Sequence, residues 1–337
     1  VTDVLDVPDL DPGEWFGYAE EQGWSDGLPT VPPTEALVDA MLAAFPGDPP
    51  EFAPLPPARM IPRLRSVAAN AVMAGCRPAD LPVVVAALLG TTDPAYNLHG
   101  SLATTHPCAP MVLVSGPVRD QGFNSGGNCF GQGTRANAVV GRALSLVLRN
   151  VGGATPGVMD RSTQGSPAKY TFCFAEADSP FPPLHVQRGF GPEDSVVSVM
   201  AAEPPHNIND HGSRTGEEIL VTIAGTMAES GSNNVYVRGP HLLVLGPEHA
   251  DTLARDGWTV ETIRERLWEL ARIPFDRISE GNHVQFDESG IKPEEDGYTV
   301  SDGLRQLHVC VAGGPGKHSA WIPSFGATEL VSRVVPG

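Results

Sequence analysis

Histidine, cysteine and glycine crowd the stretch 96–133, YNLHGSLATTHPCAPMVLVSGPVRDQGFNSGGNCFGQG. His99, Thr104, Thr105, His106 and Cys108 precede an apolar run, and Asn124, Ser125, Gly126, Gly127, Asn128 and Cys129 follow it. The second group leads into a helical pattern at Thr134. Successive backbone N–H groups ahead of a helix N-terminus make a seat for a carboxylate or phosphate. Arg135, in the first helical turn, would add a charge-assisted bond. A helix N-terminus also lowers a thiol pKa, so Cys129 is the expected nucleophile or redox thiol. His106 is an expected proton carrier. The same run holds Gly131-x-Gly133-x-x-Ala136, but a dinucleotide fingerprint needs its first Gly directly after the strand and an acidic residue about 20 positions on. Neither is present, so NAD is not expected.

Three further segments carry reactive groups. Glu203-Pro-Pro-His206-Asn-Ile-Asn-Asp210-His211 brings two histidines and carboxylates into nine residues, a pattern that could hold a divalent metal through His206 and His211. The bland alternative is a pair of hydrogen-bonded loop histidines. Gly246-Pro247-Glu248-His249 turns from an apolar run into a helix; either Glu248 or His249 could act as general base, and Glu248 could equally serve as a helix cap. Ala312-Gly-Gly-Pro-Gly-Lys317-His318-Ser319 offers backbone donors with a cation and an imidazole, suited to binding and protonating an anion. It is not a Walker A loop, because Val311 stands where the first Gly should be and His318 where Ser/Thr should be; ATP is not expected. Lys169, at the end of a polar turn from Asp160, completes the same cleft or marks a surface turn. No G-x-S-x-G elbow occurs, which argues against an α/β-hydrolase triad.

The elements that must position these groups follow from periodicity. Short apolar runs closed by Gly/Pro read as buried strands leaving a sheet: Met111–Ser115, Val196–Ala201, Leu242–Leu245 and Val309–Ala312, with a fifth run, Tyr170–Ala175, that ends at Glu176. Helical patterns cover Thr34–Phe45, Leu64–Gly75, Asp80–Leu89 (with Asp80 as N-cap), Thr134–Asn150, Thr215–Glu229 and Thr259–Ala271. The expected fold class is α/β, a mixed or parallel sheet with helices on its faces, plus an N-terminal helical and Pro-rich region. The expected divisions are 1–95 (extended and helical), 96–195 (an α/β lobe with the Gly-rich loop) and 196–337 (a second α/β lobe). In such sheets ligands sit beyond the strand C-termini, which is where the reactive loops fall. Ser279–Asp302 lacks periodicity and reads as a loop or flap.

Bulk composition narrows the classes. A net charge of −18 over 337 residues argues against nucleic-acid or anionic-membrane partners. No apolar run approaches the roughly 18 residues that span a bilayer. Val1–Asp11 is acidic and lacks the basic and apolar regions of a signal peptide. The five cysteines form no CxxC or CxC, so reduced thiols in a cytoplasmic protein are expected. Cys76, Cys173 and Cys310 read as buried.

ANAVMAGCRPADLPVV (69–84), RANAVVGRALSLVLRNVGGATPG (135–157), LGPEHADTLARDGW (245–258) and VAGGPGKHS (311–319) resemble a bacterial family associated with UGSC-type (seleno)proteins. The resemblance runs from about residue 20 over most of the chain. It implies a shared site at these loops, working with a thiol- or selenol-bearing partner; this chain has no UGSC tetrad. Together these readings lead to an enzyme, or the catalytic subunit of an oligomer, that makes or breaks a carbon–heteroatom bond in a small anionic substrate. Asn124–Asn128, Arg135 and Glu248 would bind it, and His249, His318, Lys317, Cys129 and His106 would carry the chemistry. A non-catalytic partner-binding subunit and a metal-dependent lyase or hydrolase at His206 and His211 are the alternatives.

Overall fold

In the computed structural model, which describes Pro8 and residues 10–337, the apolar runs become eight strands in two four-stranded mixed sheets. They are β1 (Ala109–Ser115), β2 (Cys173–Ala175), β3 (Val196–Ala202), β4 (His206–Asn209), β5 (His241–Leu245), β6 (Leu307–Val311), β7 (His318–Ile322) and β8 (Val331–Val334). The acidic N-terminal stretch lies largely outside the described residues. Among those residues, no helix is long and apolar enough to cross a membrane.

The sheets stack on each other, with helices on the two outer faces. Strand side chains alternate by residue, and here both faces are buried. Met111 and Leu113 of β1 and Met200 of β3 meet Leu242, Val244, Cys310, Ala320 and Ile322 between the sheets. Val112, Val114, Val197 and Val199 face helices Leu64–Ala74, Leu81–Thr91 and Arg135–Asn150. Leu243, Leu245, Val309, Val311 and Trp321 face helices Gly216–Met227, Pro247–Arg255 and Val260–Leu270. Each Val, Leu, Ile or Met among them contributes about 1.5–3 kcal/mol when fully buried, and burial on both faces is why these strands read as continuous apolar runs. The fold is α/β as expected, but a sheet covers the inner face where helices were expected.

The order is β2-β1-β3-β8 in the first sheet and β4-β7-β5-β6 in the second. In both, a central strand pairs in parallel across a helical crossover (β1 with β2, β5 with β6) and antiparallel with the next strand (β3, β7). The last strand of each unit is exchanged: β4 follows β3 but pairs with β7, and β8 follows β7 but pairs with β3. The chain is thus an internal duplication with swapped edge strands. The sequence carries its trace in PMVLVSGP (110–117) and PHLLVLGP (240–247). The second sheet lies wholly within 196–337, but the first is not confined to 96–195, because β3 and β8 complete the sheet of β1.

Local signals set the helix ends. Thr34 accepts from Leu37 N, Gly75 closes the Leu64–Ala74 helix in the left-handed conformation (φ 90°), and Thr215 with Glu218 forms a capping box. Two expectations fail. Asp80 makes no side-chain cap, because its carboxylate is taken by Arg135 and the Arg77 amide. The stretch expected to be a loop contains a helix, Glu280–Glu288, anchored by the buried Phe286 and capped by Ser279; one apolar anchor leaves no readable period.

Candidate functional site

The C-terminal ends of β5 and β6 and the start of β7 meet the 124–129 loop. Gly246 ends β5 against the first residue of β7: a Cβ there would lie 1.9 Å from the His318 carbonyl oxygen. Pro247 then opens the next helix, and Glu248 Oε1 accepts the Gly316 amide at 2.8 Å. On the other side, Gly313 N donates to Ser125 O at 2.8 Å, and a Cβ on Gly314 would sit 3.0 Å from Gly127 Cα. The two Gly-rich loops therefore cross backbone to backbone, with little room for a side chain at Gly314.

His249 is buried, 1% exposed. Its Nε2 lies 3.2 Å from the Asp210 carbonyl and its Nδ1 2.8 Å from Ser319 Oγ. A carbonyl only accepts, so Nε2 carries the hydrogen and Nδ1 accepts from Ser319. Ser319 Oγ in turn accepts the Gly246 amide at 3.1 Å. Burial lowers the His249 pKa, ahead of the hydrogen bond to the Asp210 carbonyl that opposes it. A neutral imidazole with both nitrogens engaged positions the β5–β7 junction. The other half of the duplication fastens its turn similarly, Val118 N donating to Ser195 Oγ at 3.0 Å, without a histidine.

His318 and His211 form a second, exposed arrangement. His318 Nδ1 lies 3.0 Å from Asn207 Oδ1, which fixes the Nδ1–H tautomer and leaves a lone pair on Nε2. That Nε2 is 3.3 Å from Nε2 of His211, the rings meeting edge to face. Beside them, Lys317 Nζ is 3.4 Å from the Ser213 carbonyl. Asp210 accepts from Ser213 N and Oγ; burial raises its pKa, but these hydrogen bonds outweigh it and the net shift is downward. Pairing of β4 with β7 creates the whole group, since Asn209 is in register with His318.

The 124–129 loop is partly closed on itself. Asn124 Oδ1 accepts Gly126 N, Cys129 N donates to Gly126 O, and Asn137 holds Asn124 O and Cys129 O. Among the described residues, the amides of Ser125, Gly127, Asn128 and Gly314 make no hydrogen bond. These amides are free of protein partners.

Other expected residues lie elsewhere. Cys129 is buried between the sheets, and burial pushes its thiol up to about 11, outweighing backbone hydrogen bonds at Phe130 and Cys129 that lower it; the expected activated thiolate is corrected to a neutral core thiol. Arg135 is paired with the buried Asp80, so its guanidinium holds two helices together instead of an anion. His106 sits at the opposite end of β1, its Nε2 2.8 Å from Glu203. His206 contacts Glu229 at 2.8 Å and does not converge with His211. Among the described residues, no three metal-ligating side chains cluster. Asp210 stands out in the sequence only as a carboxylate of the metal pattern, and Asn207, Ser213 and Ser319 are not singled out by their types; two of these lie within or beside the His206–His211 stretch, and Ser319 adjoins His318, but their convergence needs the long-range β4–β7 pairing.

In comparisons with known proteins, no family model, no curated protein and no solved structure matches the chain.

Proposed function

We propose that the chain is an enzyme, or the catalytic subunit of a two-component enzyme, that makes or breaks a carbon–heteroatom bond in a small anionic organic substrate. The observation that carries this reading is the placement of Lys317 and the His211–His318 pair on one edge, beside crossing Gly loops with open amides. In this mechanism Lys317 and the amides of Gly127 and Gly314 hold the substrate carboxylate. His318, its tautomer set by Asn207, presents the Nε2 lone pair as general base, and His211 relays the proton. Glu248 holds the Gly316 amide and so the shape of the loop; His249 and Ser319 fix the strand junction beneath. The resemblance to the UGSC-associated family adds a thiol- or selenol-bearing partner as second component.

One distance favours a second reading. Two imidazole nitrogens on one tetrahedral zinc, at 2.0–2.1 Å each, lie about 3.3 Å apart, which is the His211–His318 separation. A metal-dependent lyase or hydrolase would use that pair, with water and substrate completing the shell.

The test is an NMR screen of hydroxy-, amino- and thio-substituted carboxylates with the chain alone and with its partner, after metal analysis of chelator-free protein. His318→Ala should lower turnover about 10²–10⁴-fold, and Lys317→Ala should weaken substrate binding. Unchanged turnover in both variants overturns the site. Stoichiometric metal that is lost in His211→Ala selects the second reading.

A further inference from the structure

At the other end of β1, about 20 Å away along its seven residues, lies a cavity of about 60 Å³. Its polar wall is made by Tyr96, Ser101, Cys108, Ser145, Asp160 and Lys169. None of these joins the group around Lys317. Tyr96 is fully buried, and its hydroxyl makes no hydrogen bond of normal geometry; Ser101 Oγ beside it, which donates its own hydrogen to Leu98 O, offers it only a long contact. Buried hydroxyls are almost always partnered, so an unpartnered one facing a cavity calls for an occupant.

The state of the other groups says what kind. The one carboxylate in the wall is already engaged. Asp160 Oδ2 accepts Lys169 Nζ at 2.7 Å and Oδ1 accepts Ser162 N at 3.1 Å, while Cys108 Sγ donates to Ser101 O. The donors are not. The Tyr96 hydroxyl has only its long contact, the Lys169 ammonium has donated one of its three hydrogens, and Ser145 Oγ makes no hydrogen bond among the described residues. A wall whose carboxylate is paired and whose ammonium and phenol hydrogens are unmet is complementary to an oxygen-rich anion. The volume admits about four to six water-sized groups.

We propose that this cavity is a second binding site, distinct from the Lys317 edge, which takes a small carboxylate of formate or acetate size between the Lys169 ammonium and the Tyr96 hydroxyl. One carboxylate oxygen accepts from Tyr96 and the other from Lys169, with Ser145 as a third donor. The Asp160 partner keeps Lys169 in place and offsets its charge when the cavity is empty.

The experiment is a thermal-shift and calorimetric titration with sodium formate and sodium acetate against sodium chloride at equal ionic strength. It is run in a Lys317→Ala background so that anion binding at the other site does not contribute. A carboxylate-specific rise in Tm is expected. Tyr96→Phe should raise the Kd about tenfold or more, as loss of a hydrogen bond to a charged group does, and Lys169→Met with Asp160→Asn, which keeps the pair neutral, should abolish the shift. If carboxylates act no differently from chloride, or if Tyr96→Phe stabilises the unliganded protein and leaves any carboxylate shift intact, the cavity holds water alone and the proposal falls. Because the readout is binding in the Lys317→Ala protein, this outcome leaves the catalytic reading to its own test.

Discussion

Glu176, at the end of β2, is 2% exposed, and burial pushes its carboxyl up to about 7, against hydrogen bonds from Leu184 N and Ser115 Oγ that lower it. The folded state keeps the proton to higher pH than the unfolded chain does. Stability from this group is therefore full below pH 4.5 and declines as pH rises through about 7, by about 3 kcal/mol in all. Glu176→Gln, whose amide can serve the same partners, should flatten that decline in urea titrations between pH 5 and 8; an unchanged slope removes Glu176 as its cause. Cysteine chemistry is decided at the same scale. Cys108 and Cys129 are buried with thiols raised to about 12 and about 11, and burial also raises the thiols of Cys173 and Cys310 in the core. A thiol reagent at pH 8 should leave these four unmodified in the folded protein and reach all five cysteines in denaturant. Rapid modification of Cys129 in the folded state would restore it as a candidate nucleophile.

Between elements, the Gly-Pro turns that end β1 and β5 do the same work. A Cβ on Gly116 would meet the Asp194 carbonyl at 2.0 Å, as one on Gly246 would meet that of His318. Gly246 has φ −68°, a conformation open to any residue, so space alone demands glycine there. Gly246→Ala should destabilise the protein by about 3 kcal/mol or more and disorder the Lys317 edge. Gly225, in the Gly216–Met227 helix with nothing within 4 Å of a built Cβ, is the control: Gly225→Ala should stabilise by about 0.5–1 kcal/mol. Chemical denaturation of both variants checks the pair, and equal effects would show that the strand crossing is looser than its geometry. The strands β1, β3, β5 and β6 were legible because burial on both faces leaves an unbroken apolar run. β4, β7 and β8 were not: HNIN alternates weakly, and β7 begins with the polar His318 and Ser319, so each becomes a strand only when a distant edge is there to pair with.

Across the whole molecule, the exchanged edge strands tie the two halves together. β8 adds to β3 through four residue pairs, with Ser332 Oγ 2.7 Å from Ser198 Oγ and Arg188 Nη2 2.8 Å from Leu330 O. Deleting residues 329–337 should expose the β3 edge and lower the Tm of the entire chain. Tryptophan fluorescence, which includes Trp321 buried in the second sheet, should change together with far-UV circular dichroism in one transition. Two separate transitions would show that the halves fold independently and that the exchange is only a packing contact.

The sequence by itself determined the α/β class, most helix ends and the location of reactive groups at strand ends, because these depend on local periodicity, caps and Gly/Pro punctuation. It also placed Lys317, His318, Glu248 and His249 on neighbouring turns, since the GP and GGPG signatures mark strand ends directly. Only the tertiary structure decided which groups share a site. Pairing of β4 with β7 joins His211 to His318 and leaves His206 with Glu229, and burial turns Cys129 and His249 from reagents into supports. The sheet-on-sheet arrangement and the strand exchange rest on contacts more than 100 residues apart. Hydrophobic periodicity specifies that a face is buried; it does not specify what buries it.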